Sequence, residues 1–294
     1  MVEIMKGRRH PRHPSMRLPE VFLALGDHLR DTGRNDADGA EYLLCPGWVE
    51  ERLFDPTPED ADPRELGGAP QPVEIVPFGW AGGGGIHYGW VVLAPELDLD
   101  DFPCVFYAAL DGVAYWLGDN TRQAFENLLL GRVAEWECDY FGQRGRSPAP
   151  YDTPQWTALC EALALRPDLS LAVREARRES DEIGPDARSA RRIRPTAPPG
   201  WRYEPTRDGI GVLAPESAFD PASADDECLP TIDMKIDRAS ALLAAGHPAS
   251  ALHLLRNDEL NDYLDEELTR QAYLALGRTM HADRLDVWLR LTDR

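Results

Sequence analysis

The segment best suited to chemistry is residues 77–90, which read PFGWAGGGGIHYGW. A run of four consecutive glycines lies at its centre: Gly82, Gly83, Gly84 and Gly85. A phosphate loop needs a lysine after the glycines and a helix N-terminus to hold the anion, whereas Ile-His-Tyr follows here. A dinucleotide fingerprint fails too, because its third glycine falls on His87 or Tyr88. We therefore predict a structural turn between two strands and no nucleotide cofactor.

His87 is the titratable residue that follows the glycines most closely. If it faces inward from a strand, we expect a hydrogen-bonded core histidine. The alternative is a small-ligand binder or an enzyme that uses the Gly82–Gly85 turn, His87 and nearby Asp111 or Tyr115. That alternative predicts a concave pocket around His87 and a perturbed histidine pKa.

The sequence carries no recognisable metal site or catalytic set. It contains no H-E-x-x-H motif and no C-x-x-C pair. Its five cysteines are scattered: Cys45, Cys104, Cys138, Cys160 and Cys228. We expect reduced and mostly buried thiols, as in a cytosolic protein, and we predict no metal, no cofactor and no catalytic residue.

Aromatic side chains are dense around the glycine segment. Aromatics in a sheet usually belong to the core, but those that face solvent mark binding surfaces, because Trp and Tyr are enriched at interaction hot spots. The candidate protein interface therefore consists of six residues, to be kept only if they are exposed: Trp80, His87, Tyr88, Trp90, Tyr115 and Trp116.

The bulk composition excludes some classes of partner. The 294 residues carry a net charge of −20, which argues against nucleic acid as the main ligand. That charge fits a basic protein partner and fits plain solubility equally well. No apolar run approaches a membrane span and no signal peptide is visible, so we expect a cytoplasmic protein that binds no membrane. The oligomeric state stays open.

The elements around the glycines are predicted to be strands. Residues 104–110 and the two segments that flank the glycines, 73–80 and 86–94, are rich in β-branched and aromatic residues. An Asp-Gly turn at 111–112 leads into a fourth strand. Helical periodicity then begins after Asp119 or Asn120, either of which can cap the helix, and Gly131 is a candidate for its end.

The whole chain is predicted to have an α+β fold, with a central, mainly antiparallel sheet, flanking helices and a small all-α helical-hairpin segment at the end. Four parts are expected: a disordered extension at 1–15, an α+β domain at 16–215, an acidic linker at 216–230 and a helical segment at 231–294.

The helical segment contains a short internal repeat. Gly246 and Gly277 are separated by 31 residues, as are Ala251 and Ala282. Tetratricopeptide repeats have a similar period, about 34 residues, with a glycine at the turn between their helices. About three repeats are needed for an independent stack, so we expect this segment to pack on the first domain or on a partner.

The order of these motifs resembles the SUKH superfamily, which contains the fungal cell-wall synthesis regulator and many bacterial immunity proteins. The matching motifs are Pro77-Phe78, the glycine turn, the strand at Trp90, Pro103 to Val105, and the helix from Phe125 to Leu129. The segments GGIHY at 84–88 and TRDGIGVLAP at 206–215 are similar to family elements as well.

The resemblance implies an α+β fold that binds proteins rather than catalysing a reaction. Its bacterial members typically bind and neutralise a cognate toxin, often a nuclease. We therefore expect a non-enzymatic protein-binding module of the immunity type, whose partner is a protein, with a basic toxin domain as the candidate. A general interaction scaffold or regulator is the alternative within the same class.

Overall fold

The computed structural model describes residues 9, 16–32, 72–80, 86–108, 113–137, 148–170, 193, 195–222, 229, 231–257 and 265–292. Within the expected N-terminal extension, Arg9 is the described residue. It pairs with Arg17 in an isolated β-bridge, and its guanidinium lies 2.9 Å from the Asp98 carboxylate. The expectation of disorder over the rest of 1–15 falls outside the described residues.

The predicted order of four strands followed by a helix is present among the described residues. The strands are β1 (Ile75–Trp80), β2 (Ile86–Val91), β3 (Cys104–Ala108), β4 (Val113–Gly118), β5 (Trp201–Glu204) and β6 (Val212–Pro215). The helices are α1 (Glu20–Thr32), α2 (Thr121–Glu137), α3 (Pro154–Leu163), α4 (Ile232–Ala244), α5 (Pro248–Arg256), α6 (Glu266–Ala275) and α7 (Thr279–Thr292). Single 3-10 turns lie at Pro95–Leu97, Pro150–Asp152 and Glu216–Ala218.

Strands β1 to β4 form one antiparallel sheet in sequence order. Trp80 pairs with His87 across the glycine segment, and Ala108 pairs with Val113 across the Asp-Gly segment. The predicted α+β fold, with an antiparallel sheet and a helical C-terminal segment, is confirmed.

Both faces of the sheet are covered. On the first face, Phe78, Trp90 and Cys104 share a core with α1, α2 and α3. On the second face, Ile75 and Val105 lie in a separate core with the hairpin of β5 and β6. Two-sided burial is the physical reason for the incomplete apolar alternation of β1.

Helix α2 begins as predicted but ends later. Asn120 caps it, since its Oδ1 accepts the Gln123 amide at 2.9 Å. The prediction that Gly131 ends the helix is wrong, because the helix continues to Glu137. Val133, beyond the glycine, is fully buried. The burial of that next turn outweighs the weak helix propensity of glycine, which is about 1 kcal/mol.

The C-terminal segment consists of two helical hairpins, α4 with α5 and α6 with α7. Gly246 and Gly277 occupy equivalent turns with φ values of 86° and 77°, a conformation that glycine adopts without strain. Ala251 and Ala282, five residues after each glycine, are both buried. The 31-residue repeat in the sequence is therefore a structural repeat.

These hairpins pack on the α+β part of the same chain. Val212 and Phe219 share a core with Leu252, Tyr273 and Leu285. The sequence left open whether the helical segment packs on the first domain or on a partner. Its described residues pack on the first domain. Residues 223–228 and 230 of the expected acidic linker lie outside the description, whereas Phe219 at its start is buried.

Candidate functional site

Three aromatic side chains form a continuous row across the sheet. Tyr88 in β2 pairs with Phe106 in β3, and Phe106 pairs with Tyr115 in β4. The ring centroids of Tyr88 and Phe106 are 5.7 Å apart, and those of Phe106 and Tyr115 are 5.5 Å apart with the rings 25° from parallel. All three side chains are partly buried. We call Tyr88, Phe106 and Tyr115 the aromatic row.

The strand register explains why the row forms. Side chains directly opposite each other on antiparallel strands lie close together, and offset-stacked rings stabilise such cross-strand pairs. Tyr88 lies two residues before Trp90, so both point to the first face of the sheet. The row therefore continues the core of that face towards its partly exposed end.

Trp90 does not meet the exposure condition set for the candidate interface. It is fully buried, with its ring 4.7 Å from that of Phe22 and 4.9 Å from that of Phe78. Its indole N–H donates to Thr121 Oγ1 at 3.0 Å. Trp90 is therefore a core residue, because α1 and α2 cover its part of the sheet. The sequence analysis gave this role as the alternative to a place in the interface.

Trp116 lies on the opposite face from the row. It pairs with Val105 and packs partly against the second core, and its indole N–H donates to Asp119 Oδ1 at 2.7 Å. The structure therefore separates Trp116 from Tyr88 and Tyr115. Trp80 and His87 are paired through their backbones, and their side chains fall outside the description, as do Gly82, Gly83, Gly84 and Gly85.

Phe106 is the member of the row that the sequence analysis did not select. Its immediate neighbour Tyr107 is buried on the other face, so the run CVFYA divides between the two faces. Phe106 could have been identified from the two-residue alternation that starts at Cys104, together with the alignment of β3 against β2. That alignment depends on the strand register, which the three strands fix jointly.

A second conspicuous cluster is ionic and buried. The Arg256 guanidinium in α5 contacts Glu74, just before β1, and Asp208, in the connection between β5 and β6. Tyr273 donates its hydroxyl to Glu74 Oε1 at 2.6 Å. All four side chains are buried, so this cluster is closed to a substrate. The cluster therefore links the helical hairpins to the α+β part of the chain, and we call it the ionic tie.

Two further arginines from the last hairpin complete this tie. Arg284 donates to the backbone carbonyls of Val73 and Ile75 at 2.9 and 2.7 Å, which satisfies acceptors at the start of the edge strand β1. Arg278 donates to the Glu96 carboxylate at 3.1 and 3.0 Å and to the Leu213 carbonyl. Arginine is suited to this role because its planar guanidinium donates several hydrogen bonds at once.

Burial sets the protonation of the other titratable groups in these cores. Loss of solvation, with Arg278 and Arg284 nearby, holds the pKa of His281 well below its ordinary value, so the imidazole is neutral at neutral pH. Burial likewise raises the pKa of the Cys104 thiol well above its ordinary value, and the pKa of the Cys160 thiol is raised for the same reason. Neither thiol has the depressed pKa of a nucleophile.

The described residues bring together no metal site, since they contain no group of three or more His, Cys, Asp or Glu side chains able to hold an ion. None of the helices in this part of the chain has the length and apolar character needed to span a bilayer. Comparison of the sequence with protein-family models gives no match. Comparison with curated proteins gives no significant match either. The SUKH resemblance therefore stays a prediction.

Proposed function

We propose that this protein is a non-enzymatic binding module of the immunity type, which binds a cognate bacterial toxin and neutralises it. The observation that carries the proposal is the partly exposed aromatic row of Tyr88, Phe106 and Tyr115. Rigid aromatic side chains with one covered face lose little entropy on binding and bury a large area, and for this reason they dominate interaction hot spots.

The charge of the chain favours a basic occupant of this surface. A net charge of −20 repels acidic surfaces and speeds the encounter with a basic protein. The proposed toxin is therefore a basic domain, such as a nuclease, and nucleic acid and membranes are not proposed as direct partners. The proposal places the protein in the cytoplasm, which suits the free thiols of Cys104 and Cys160.

The decisive experiment pairs this protein with the products of the genes adjacent to its own. We expect one of those products to arrest growth when expressed alone, and co-expression of this protein to restore growth. The purified pair should elute as one complex. If no adjacent product binds, the immunity role is wrong.

Variants of the aromatic row test the surface itself. Tyr88→Ala and Tyr115→Ala should each weaken the complex by about tenfold or more, as truncated hot-spot aromatics do. Leu99→Ala is the control, because Leu99 is an exposed apolar residue, 42% accessible, in the connection between β2 and β3 and is not a member of the row. Equal affinities for all three variants would show that the row is not the interface.

A general scaffold role is the second candidate, and the paired helical hairpins favour it, since stacked hairpins of this kind build binding surfaces. It predicts a complex that forms without any rescue of growth. For the small-ligand alternative at His87, no observation on the described residues offers support. A surface hollow lined by Glu96, Trp201 and Leu276 does not include His87.

A further inference from the structure

The start of edge strand β1 is covered by the last helical hairpin, α6 with α7. Arg284, in α7, donates to the backbone carbonyls of Val73 and Ile75. Tyr273, in α6, donates its hydroxyl to the buried carboxylate of Glu74. Release of this hairpin would therefore uncover backbone acceptors at the edge of the sheet, where another strand can pair.

His281 lies inside this contact. It is fully buried, and it stands three residues after Arg278 and three before Arg284, so the three side chains share one side of the helix. Its ring centroid is 5.1 Å from that of Tyr273, in an edge-to-face arrangement. The backbone of Val92, just after β2, faces the ring, but neither ring nitrogen makes a hydrogen bond of normal geometry among the described residues.

The charges that act on the imidazole are positive. Three guanidinium groups contribute, one from α5 and two from the last hairpin: Arg256, Arg278 and Arg284. The ion-pair partners of the first two are Glu74, Asp208 and Glu96. None of these carboxylates is hydrogen-bonded to the imidazole. A proton on His281 would thus add a further positive charge to a buried site that already holds arginines.

The docked and released positions of the hairpin therefore differ in their affinity for a proton. Burial and the arginines hold the pKa of the docked His281 well below its ordinary value of 6.5, and a released imidazole regains that value in water. The released state then binds a proton that the docked state excludes. The stabilisation of the docked state is fully present above about pH 6.5 and is lost as the pH falls further.

We propose that His281 is an acid-sensitive latch, which releases α6 and α7 from the start of β1 in mildly acidic solution while the rest of the fold stays intact. Separate release is possible because the two cores of the sheet depend little on this hairpin. Among the described residues, the second core contains no side chain from α6 or α7, and the first core contains Met280 alone. The latch goes beyond the proposed function, since the aromatic row lies on other elements.

The test is hydrogen–deuterium exchange of the full-length protein at pH 7.5 and pH 5.5, corrected for the pH dependence of the chemical exchange rate. Between these values, an imidazole of ordinary pKa changes from about one-tenth to about nine-tenths protonated. We expect the opening equilibrium of α6 and α7 to rise by about fivefold to tenfold. The amides of β3 and α2, which lie in the sheet and its first core, should keep their protection.

Two histidine variants separate this latch from other acid effects. His281→Leu removes the buried imidazole and should make the exchange of α6 and α7 insensitive to pH over this range. His253→Gln is the control, because it removes an imidazole from α5, where Nε2 lies 3.0 Å from the Pro205 carbonyl oxygen. This variant should keep the wild-type response. The carboxylates and arginines are the same in all three proteins, so their own titration cancels in the comparison.

Four outcomes would overturn the proposal. They are an unchanged opening equilibrium in wild type, an increase of equal size in β3 and α7, an unaltered acid response in His281→Leu, and loss of the response in His253→Gln. If His281→Leu does not fold, the wild-type map still decides, because an equal increase throughout the protein means global unfolding. Toxin pairing at neutral pH is a separate measurement, so either proposal can fail without the other.

Discussion

Arg256 and Glu74 form an ion pair across 182 residues of sequence, and both side chains are 2% exposed. The same guanidinium reaches Asp208, so one arginine in α5 pairs with two buried acidic side chains in the α+β part of the chain. A buried charge without its partner is strongly destabilising. The helical hairpins and the sheet are therefore tied together electrostatically as well as through their common apolar core.

Replacement of Arg256 by methionine should destabilise the fold severely. The variant leaves Glu74 and Asp208 buried without a cation, and breaking a buried pair costs about 3–5 kcal/mol. The measurement is the free energy of unfolding in urea. Arg270→Met is the control, because the Arg270–Asp286 pair is 33% and 36% exposed and its loss should cost less than about 1 kcal/mol. Similar losses in both variants would contradict the ionic tie.

Trp90 and Tyr115 should differ sharply in their contribution to stability. Trp90→Ala removes a fully buried indole and its bond to Thr121, and should cost about 3–5 kcal/mol. Tyr115→Ala removes a partly exposed ring from the end of the row, and we expect a loss of about 1 kcal/mol. Thermal and urea unfolding of the two variants measures this difference. Equal losses would mean that Tyr115 is a core residue and unsuited to binding.

Gly209 should not tolerate alanine. Its φ is 83°, and an added Cβ would lie 2.6 Å from the Ala114 carbonyl oxygen, a backbone atom. Gly200 is the matched control, since its φ is 79° and a Cβ there would meet no atom within 4 Å. Gly200→Ala should cost about 1–2 kcal/mol for the left-handed conformation alone. Gly209→Ala should cost clearly more, because the strand contact must open as well. Calorimetry of both variants decides the matter, and equal melting temperatures would refute the close contact.

Mild acid should destabilise the protein through His281. The folded state lowers the pKa of this imidazole by burial and by the nearby Arg278, Arg284 and Arg256, whereas the unfolded chain protonates it near 6.5. The unfolded state then binds the extra proton below that pH. The stability conferred by the neutral imidazole is fully present above pH 6.5 and is lost as the pH falls further.

The size of this effect is about 1.4 kcal/mol per pH unit for one proton. Between pH 7.5 and pH 5.5, we expect wild type to lose about 1 kcal/mol more unfolding free energy than His281→Leu. Urea titrations at the two pH values provide the measurement. Parallel losses in the two proteins would show that His281 is not the acid-sensitive group.

Local patterns in the sequence predicted the strands and the helical repeat. The β-branched and aromatic runs are confirmed as β1 to β4, and the spacing of Gly246 and Gly277 is confirmed as two equivalent turns. These features depend on a few neighbouring residues, whose conformational preferences and alternation can be recognised from the sequence alone. The end of α2 could not be read in this way, because the burial of Val133 extends the helix past Gly131.

The sequence by itself determined that a sheet dense in aromatic residues is built from the strands on both sides of the glycine run, and that residues 231–294 contain a repeated helical pair. Only the tertiary structure decided the different fates of Tyr88 and Trp90, which alternation places on the same face of one strand. Helices α1 and α2 cover Trp90 and leave Tyr88 partly exposed, and no local pattern encodes where a helix crosses a sheet. The pairing of Arg256 with Glu74 and Asp208 was beyond sequence reasoning for the same reason, since it depends on segments that only folding brings together.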